Sequence, residues 1–555
     1  MSNSLGRRAL VGLVVGATAL GGFAAGALGA PVKGGTITDA EDQSPPILNN
    51  LLADGATVVG ARLTVGNIFQ NMFTANASGK YAPVLSAGAP SAKDVVIKNG
   101  KMIVTLHIQP KAAWSDGKPL TANDIIFTWK TMINPKNQVA SKTGWDLITS
   151  IKARGNKTAV VTFKKPYAPW KDVFCTCGGY FLLPQHVLQG KDFNTFFNTG
   201  NLIGSGPYVL SAYKPDESAT LVPNPRYWDA AKSKGPNVSQ IVFKLGLGTT
   251  TQAVQLKSGE ANLINPPPTI DLVNSIAADN PDAVVQSKPA ATFEHLAVNT
   301  QVAPLNDVKV RQALAYSLDR AGMVANLLKG AGVGTLQSSL VPFQLGYKPT
   351  FARYTYNPAK AQQILKADGW TLGGDGIFTK GGQKLSLTIK TTSGNTQRAN
   401  NIQFLAARAK AAGFDLNLVT EPASKLFGGT LTNGDYQLAN YAFSGSADPS
   451  QTSIFRSDAI PTQANGFAGQ NVYRIADKTL DKLLAASDGA IDQKTRAKIL
   501  GQEQDRLANL VPFIPIYQRP NILAAKKVIV GPQENPTQAE AYWNSASWYV
   551  TTGKS

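Results

Sequence analysis

The chain is poor in the residues that most often do chemistry. Among 555 residues there are only three histidines, His107, His186 and His295, and two cysteines, Cys175 and Cys177. The histidines stand far apart, His107 and His295 in strand-like segments and His186 in "LPQHVL". No spacing among them suits a metal, and none is expected. Two cysteines two residues apart, without histidine neighbours, cannot complete a tetrahedral zinc site. They read as a local disulfide clip or as two free thiols. Neither lies near the N-terminus, which excludes a bacterial lipoprotein anchor. H-E-x-x-H, P-loop and nucleophile-elbow patterns are also missing. S-x-x-K occurs twice, at Ser115–Lys118 and Ser211–Lys214, the spacing of a secreted Ser/Lys hydrolase. Such a serine should open a helix beneath an oxyanion hole, yet Ser115 sits in a turn and Ser211 ends a strand. The chain is therefore read as a non-enzyme, with no catalytic residues and no cofactor.

Acidic residues are scarce as well, 35 against 54 lysines and arginines, for a formal charge of +19. The basic residues are scattered rather than gathered in tracts, so a basic solvated surface is expected and nucleic acid is not. At 43% hydrophobic and 16% charged, a chain this long buries a large core without staples or metals.

Residues 1–30 stand apart from that core. Arg7 and Arg8 precede an apolar run rich in Gly and Ala, with small residues at Ala25, Ala27 and Ala30 suited to cleavage. This is the pattern of a secretory signal peptide, although the run is also long enough to stay as an anchor. The mature protein is expected outside the cytoplasm, in a periplasm or at the outer cell envelope. No later stretch looks membrane-spanning.

"KMIVTLHIQP" and "TAVVTFKKP" alternate apolar and polar residues as half-buried strands do. Between them, "WSDGKPL" supplies turn residues. Thr121 with Asp124 three residues on then makes a helix start, and Ile125, Trp129, Met132 and Ile133 share one face of that helix. "IVFKLGLGTTTQAVQLKSGEANLI" suggests a βαβ-like unit. Asp307 and Asp319 are expected to open two further helices, and "LVPFIPIYQ" is a proline-punctuated extended run.

"WSDGKPLTANDIIFTW", "GSGPYVLSAYKPDESATLVPNPRYW", "LKSGEANLI", "NTQVAPLNDVKVRQALAYSLDR", "YNPAKAQQILKADGW" and "VPFIPIY" occur in this order across nearly the whole chain. Together they resemble the family 5 extracytoplasmic solute-binding proteins, the peptide- and nickel-type receptors of ABC importers. The resemblance implies an α/β, two-lobed periplasmic-binding-protein fold (class II, cluster C-like) with an extra subdomain on lobe I. By this reading 1–30 is the signal peptide, 31–295 lobe I with the small subdomain at about 76–200, 296–520 lobe II, and 521–555 a return to lobe I. The implied partners are a peptide or other small solute and an ABC permease in the membrane, and the protein is expected to be a monomer. An oligosaccharide remains an alternative solute, since aromatic residues suit sugar stacking.

The same resemblance points to candidate ligand-binding residues. Asp448, in "NYAFSGSADPSQTSIF", matches the segment whose acid pairs with a peptide α-ammonium. As an Asp-Pro step it also suits a simple turn start. Tyr441, Phe443 and Arg456 flank it. In lobe I, Asp39, Glu41 and Ser205 fall where the family's cleft-facing loops lie. The segment around Asp39 and Glu41 departs from the family's commoner pattern.

Overall fold

The computed structural model describes residues 31–551, apart from residues 33, 46, 53–54, 56, 90–92, 201, 267–269, 329–332, 423–424, 466, 468 and 538–539. The signal segment at 1–30 lies outside the described residues.

One ten-stranded sheet runs through both lobes. Its order is 415–421, 386–392, 438–444, 283–298, 513–526, 263–264, 36–40, 240–244, 218–223 and 208–214. The two long central strands, Ala283–Val298 and Phe513–Lys526, pair antiparallel and belong to both lobes. At one end Leu523 and Ala525 enter the core of lobe I. At the other, Phe293, Leu296, Phe513 and Ile514 enter that of lobe II. The two-lobed periplasmic-binding-protein fold expected from the sequence is present.

The ladder between these strands breaks midway. Pro289 faces Pro520, and the pairing resumes only at Phe293 opposite Gln518. Two facing prolines remove two N–H donors, so the sheet is weakest there. Other groups satisfy the freed backbone. The Ala291 N–H donates to Pro536 O at 2.7 Å, the Gly445 N–H to Ala291 O at 2.9 Å, and Gln518 Nε2 to Ala290 O at 2.7 Å.

In lobe I the strands Gln240–Lys244 and Leu263–Ile264 lie parallel to Thr36–Ala40, one on each side. Helix Thr249–Ser258 joins them and ends at Gly259 with φ +82°, the βαβ-like unit of the sequence. The extra subdomain is a four-stranded antiparallel sheet, 95–98, 101–107, 158–163 and 148–153, covered by helix Ala122–Ile133. Its first hairpin turns at Asn99 and Gly100, φ +51° and +72°, as a two-residue Asn-Gly turn requires. Asp124 accepts the Thr121 N–H at 2.7 Å and the Gln185 N–H at 3.0 Å. "WSDGKPL" is thus turn and helix start, with Trp114 and Trp145 sealed in the core behind it.

In lobe II, helix Thr396–Ala409 connects the parallel strands Ser386–Thr392 and Asp415–Glu421. Asp307 and Asp319 each cap a helix through the side chain, Val308–Ser317 and Arg320–Leu327. No described helix is long and apolar enough to cross a membrane.

Glu294, on the central strand, is buried. Arg398 grips it with Nε and Nη2 at 3.0 and 2.9 Å, and Arg519 lies 3.6 Å away. Removing one partner of such a pair leaves an uncompensated buried charge. Glu294→Ala should lower the free energy of urea unfolding by about 3–5 kcal/mol, and a loss within experimental scatter would show that the pair does not hold this strand.

Candidate functional site

A cavity of about 400 Å³ lies between the lobes, where the central ladder is broken. Lobe I supplies Asn50, Thr57, Tyr167, Asp172 and Tyr180 to its wall. The hinge strand supplies Thr292 and Phe293, and lobe II supplies Phe443, Asp448, Gln451, Phe455 and Tyr473. Glu540, from the returning C-terminal segment, completes it.

The aromatic part of the wall rests on the hinge. The Phe293 and Phe443 rings lie 5.6 Å apart, and Phe455 stacks on Tyr473 at 5.2 Å and on Phe513 at 5.6 Å. Behind them His295 is fully buried against Tyr441, and its Nε2 lies 2.9 Å from the Tyr473 hydroxyl. Burial pushes the His295 pKa down to about 3, so the imidazole is neutral and serves packing.

Carboxyl groups dominate the opposite side. Asp448 is held by Arg496 through Nη1 at 2.6 Å and Nη2 at 2.5 Å, and it accepts the Ser450 N–H at 2.9 Å. Its oxygens thus meet a bidentate guanidinium, the strongest pairing available to a carboxylate. Two more acids lie close behind. Asp488 accepts the Ser450 hydroxyl at 2.7 Å, and Glu503 accepts Gln451 Nε2 at 3.1 Å. Burial, with the negative charge of Asp488 adding to it, pushes the Glu503 pKa up to about 8, and burial raises that of Asp488.

Asp172 approaches from lobe I at the end of the short helix Trp170–Val173. It accepts the Tyr81 hydroxyl at 2.6 Å on one oxygen and the Ser446 hydroxyl of lobe II at 2.5 Å on the other. Desolvation, and then the nearby Asp448 charge, push its pKa up to about 7, against the two hydroxyl bonds and Arg496. The neighbouring Lys171 ammonium sits over the Tyr81 ring at 5.4 Å and the Trp170 ring at 5.7 Å, and burial depresses its pKa. Just beyond, Cys175 and Cys177 form a disulfide, which settles the choice between clip and free thiols. The turn they close ends at Gly179, whose φ of +78° favours glycine. Ser446–Asp172 is a contact between the lobes, and so is the 2.6 Å bond from the Ala168 N–H to Asp488 O.

Of the residues singled out in the sequence, Asp448 and Phe443 line the cavity. Tyr441 lies one layer behind it, and Arg456 turns outward to pair with Asp458. Ser205 is fully buried in the "GSGPY" turn, which packs on the backbone of 67–68. There a Cβ on Gly204 would stand 1.9 Å from Ile68 O. Asp39 and Glu41 are buried beneath the cavity. Asp39 accepts the Tyr542 hydroxyl, while Arg62 joins Glu41 at 2.6 Å to the cavity-lining Glu540. Burial pushes Asp39 up to about 6 and holds Glu41 well above its ordinary value. Asp172, Tyr167, Phe293 and Tyr473 were not anticipated. The only local signal near Asp172 was the "FCTCGG" clip that follows it. Among the described residues no group of three or more His, Cys, Asp and Glu side chains is arranged to hold a metal ion.

A raised acid pKa in the fold contributes stability that is complete below the unfolded value and is lost as pH rises through the folded one. For Glu503, the free energy of unfolding should therefore fall between about pH 5 and 8, by up to ~1.4 kcal/mol per pH unit. Glu503→Gln should flatten that slope, as read from urea unfolding at several pH values. An unchanged slope would remove Glu503 as its source.

Comparison with known proteins supplies the family. The profile described as "Bacterial extracellular solute-binding proteins, family 5 Middle" matches residues 90–460, more than half of the chain. The oligopeptide-binding protein AppA of Bacillus subtilis is 24% identical over 529 residues, covering 94% of this chain and 93% of that one. The nickel-binding periplasmic protein of Escherichia coli is 25% identical over 422 residues, 74% of this chain and 77% of its own. Among solved structures, the periplasmic EDTA-binding protein EppA superposes with a TM-score of 0.83 at 23% identity, covering 95% of this chain and 98% of that one. The chain belongs to the bacterial extracellular solute-binding proteins of family 5, and it is an extracytoplasmic receptor of the ABC-importer type rather than an enzyme.

Proposed function

We propose that this receptor carries short peptides to an ABC permease and holds them by the α-ammonium in the cavity between its lobes. The observation that supports this most is the charge of the cavity wall. Its charged groups among the described residues are Asp172, Asp448 and Glu540, all acids. A cationic ligand end is therefore favoured, and the low dielectric of a closed cleft strengthens each contact. The Phe293–Phe443–Phe455–Tyr473 wall offers apolar area for side chains. The names of relatives agree: the AppA relative is an oligopeptide-binding protein, and its solved structure is described as a complex with a nonapeptide. EppA is described as EDTA-binding, but a polyanionic chelate would meet repulsion from these acids.

The lobes close because ligand contacts favour the closed state. Ser446, whose hydroxyl donates to Asp172 and contacts Asp448 O at 2.8 Å, ties the two walls together at the acidic end. Asp448 then contributes from the lobe II wall with Arg496 behind it, and Asp172 from across the cleft.

Calorimetry of the mature protein with di- to hexapeptides and their N-acetylated forms tests this reading. A charge-assisted bond of about 1.5–3 kcal/mol corresponds to roughly 10- to 150-fold in affinity. N-acetylation should cost that much, and Asp448→Asn, which leaves the side-chain shape intact, should weaken binding in the same direction. Equal binding of free and acetylated peptides would remove the ammonium anchor. Binding of oligosaccharides with no response to peptides would replace the solute class.

A further inference from the structure

The charge around the cavity is not merely acidic but unbalanced, and the imbalance bears on both ends of a ligand. No Lys, Arg or His lines the wall among the described residues. The undescribed residues that adjoin it in the chain, 53, 54, 56, 538 and 539, add no basic residue by sequence. Three arginines close to the cavity already have partners: Arg496 on Asp448, Arg62 on Glu41 and Glu540, and Arg456 on Asp458. Lys171 lies over two aromatic rings. At the acidic end, Arg496 is bonded to Asp448, and the other acids close by, Asp172, Asp488 and Glu503, have hydroxyl or amide partners instead.

Within this group Asp172 differs from Asp448. Asp448 has its cation. Asp172 has two hydroxyl hydrogens, from Tyr81 and Ser446, and no ion pair. In its ionised form, which a ligand cation favours, its carboxylate offers about four acceptor positions, so two remain for a ligand. A carboxylate brought into the same space would find no guanidinium or ammonium on the wall itself among the described residues. It would also face the acids of the wall at low dielectric, which disfavours a second negative charge.

We propose that the cavity selects its solute by unbalanced positive charge: the ligand's cationic group meets Asp172, and the remainder of the enclosed portion is uncharged. A peptide is then taken with its C-terminal carboxylate blocked, or with its chain continuing out of the cavity. This rests on the receptor reading above and narrows its ligand class. Asp172 is the residue that sets the preference.

Four probes test it by calorimetry at neutral pH: the tripeptide Ala-Phe-Ala as the free acid, the same peptide as its C-terminal amide, phenethylamine, and 3-phenylpropionate. The amide should bind at least about tenfold more tightly than the acid, and phenethylamine should bind where 3-phenylpropionate does not. In Asp172→Asn, checked for an unaltered melting temperature, the amide should lose about tenfold and the preference should shrink to within about threefold. The wild-type comparison stands without the variant. Tighter binding of the free acid than of the amide, or of phenylpropionate than of phenethylamine, overturns the proposal, as does no binding by all four. If phenethylamine is held over phenylpropionate while neither peptide binds, selection by charge stands and the peptide assignment falls.

Discussion

The pairing of strand Ala283–Val298 with strand Phe513–Lys526 is the constraint on which the rest depends. Their two ends lie in different hydrophobic cores, so the ladder both joins the lobes and fixes the angle between them. A continuous ladder would make one rigid slab. Pro289 opposite Pro520 withdraws two donors at its middle, and the next backbone groups turn instead to Pro536, Gly445 and Gln518. The cavity opens beside this gap. Thr292 and Phe293, where the pairing resumes, form its floor. Hinge and binding surface are therefore made by the same few residues, and a ligand seated on Phe293 bears directly on the joint.

Charge acts on top of that geometry. The chain as a whole is strongly basic, yet its cavity is walled by acids. The contrast follows from where each charge lies. Most lysines are on the solvated surface, whereas Arg62, Arg398 and Arg496 are drawn inward as bidentate or multiply bonded partners of buried carboxylates. Once so paired they hold structure and have little left to offer a ligand. Asp172 is placed between the lobes with only hydroxyl partners, one from each side, and so keeps its capacity for a cation while helping to close the cleft.

Features made by neighbours in the chain were legible beforehand. Thr121 with Asp124, Asp307, and Asp319 cap helices because a cap needs only a side chain and the next turn of backbone. The βαβ-like unit at 240–264 followed from strand and helix patterning, and the outline of two lobes from the family resemblance alone. The site was less legible because its chemistry is decided by distant partners. Asp448 could be placed by resemblance, but its neutralisation by Arg496, 48 residues on, has no local trace. Asp39, Glu41 and Ser205 were placed near the cleft by resemblance, and packing buries all three away from its wall. Asp172 carries no motif of its own. Its importance arises only when lobe II brings Ser446 against it.

The most direct test is a crystal structure of the mature protein with the solute that stabilises it best. The account predicts the solute between the lobes, its cationic group within about 3 Å of an Asp172 oxygen and an uncharged portion on the Phe293 and Tyr473 rings. An anionic group at Asp172, or a solute bound outside the cavity, would contradict it.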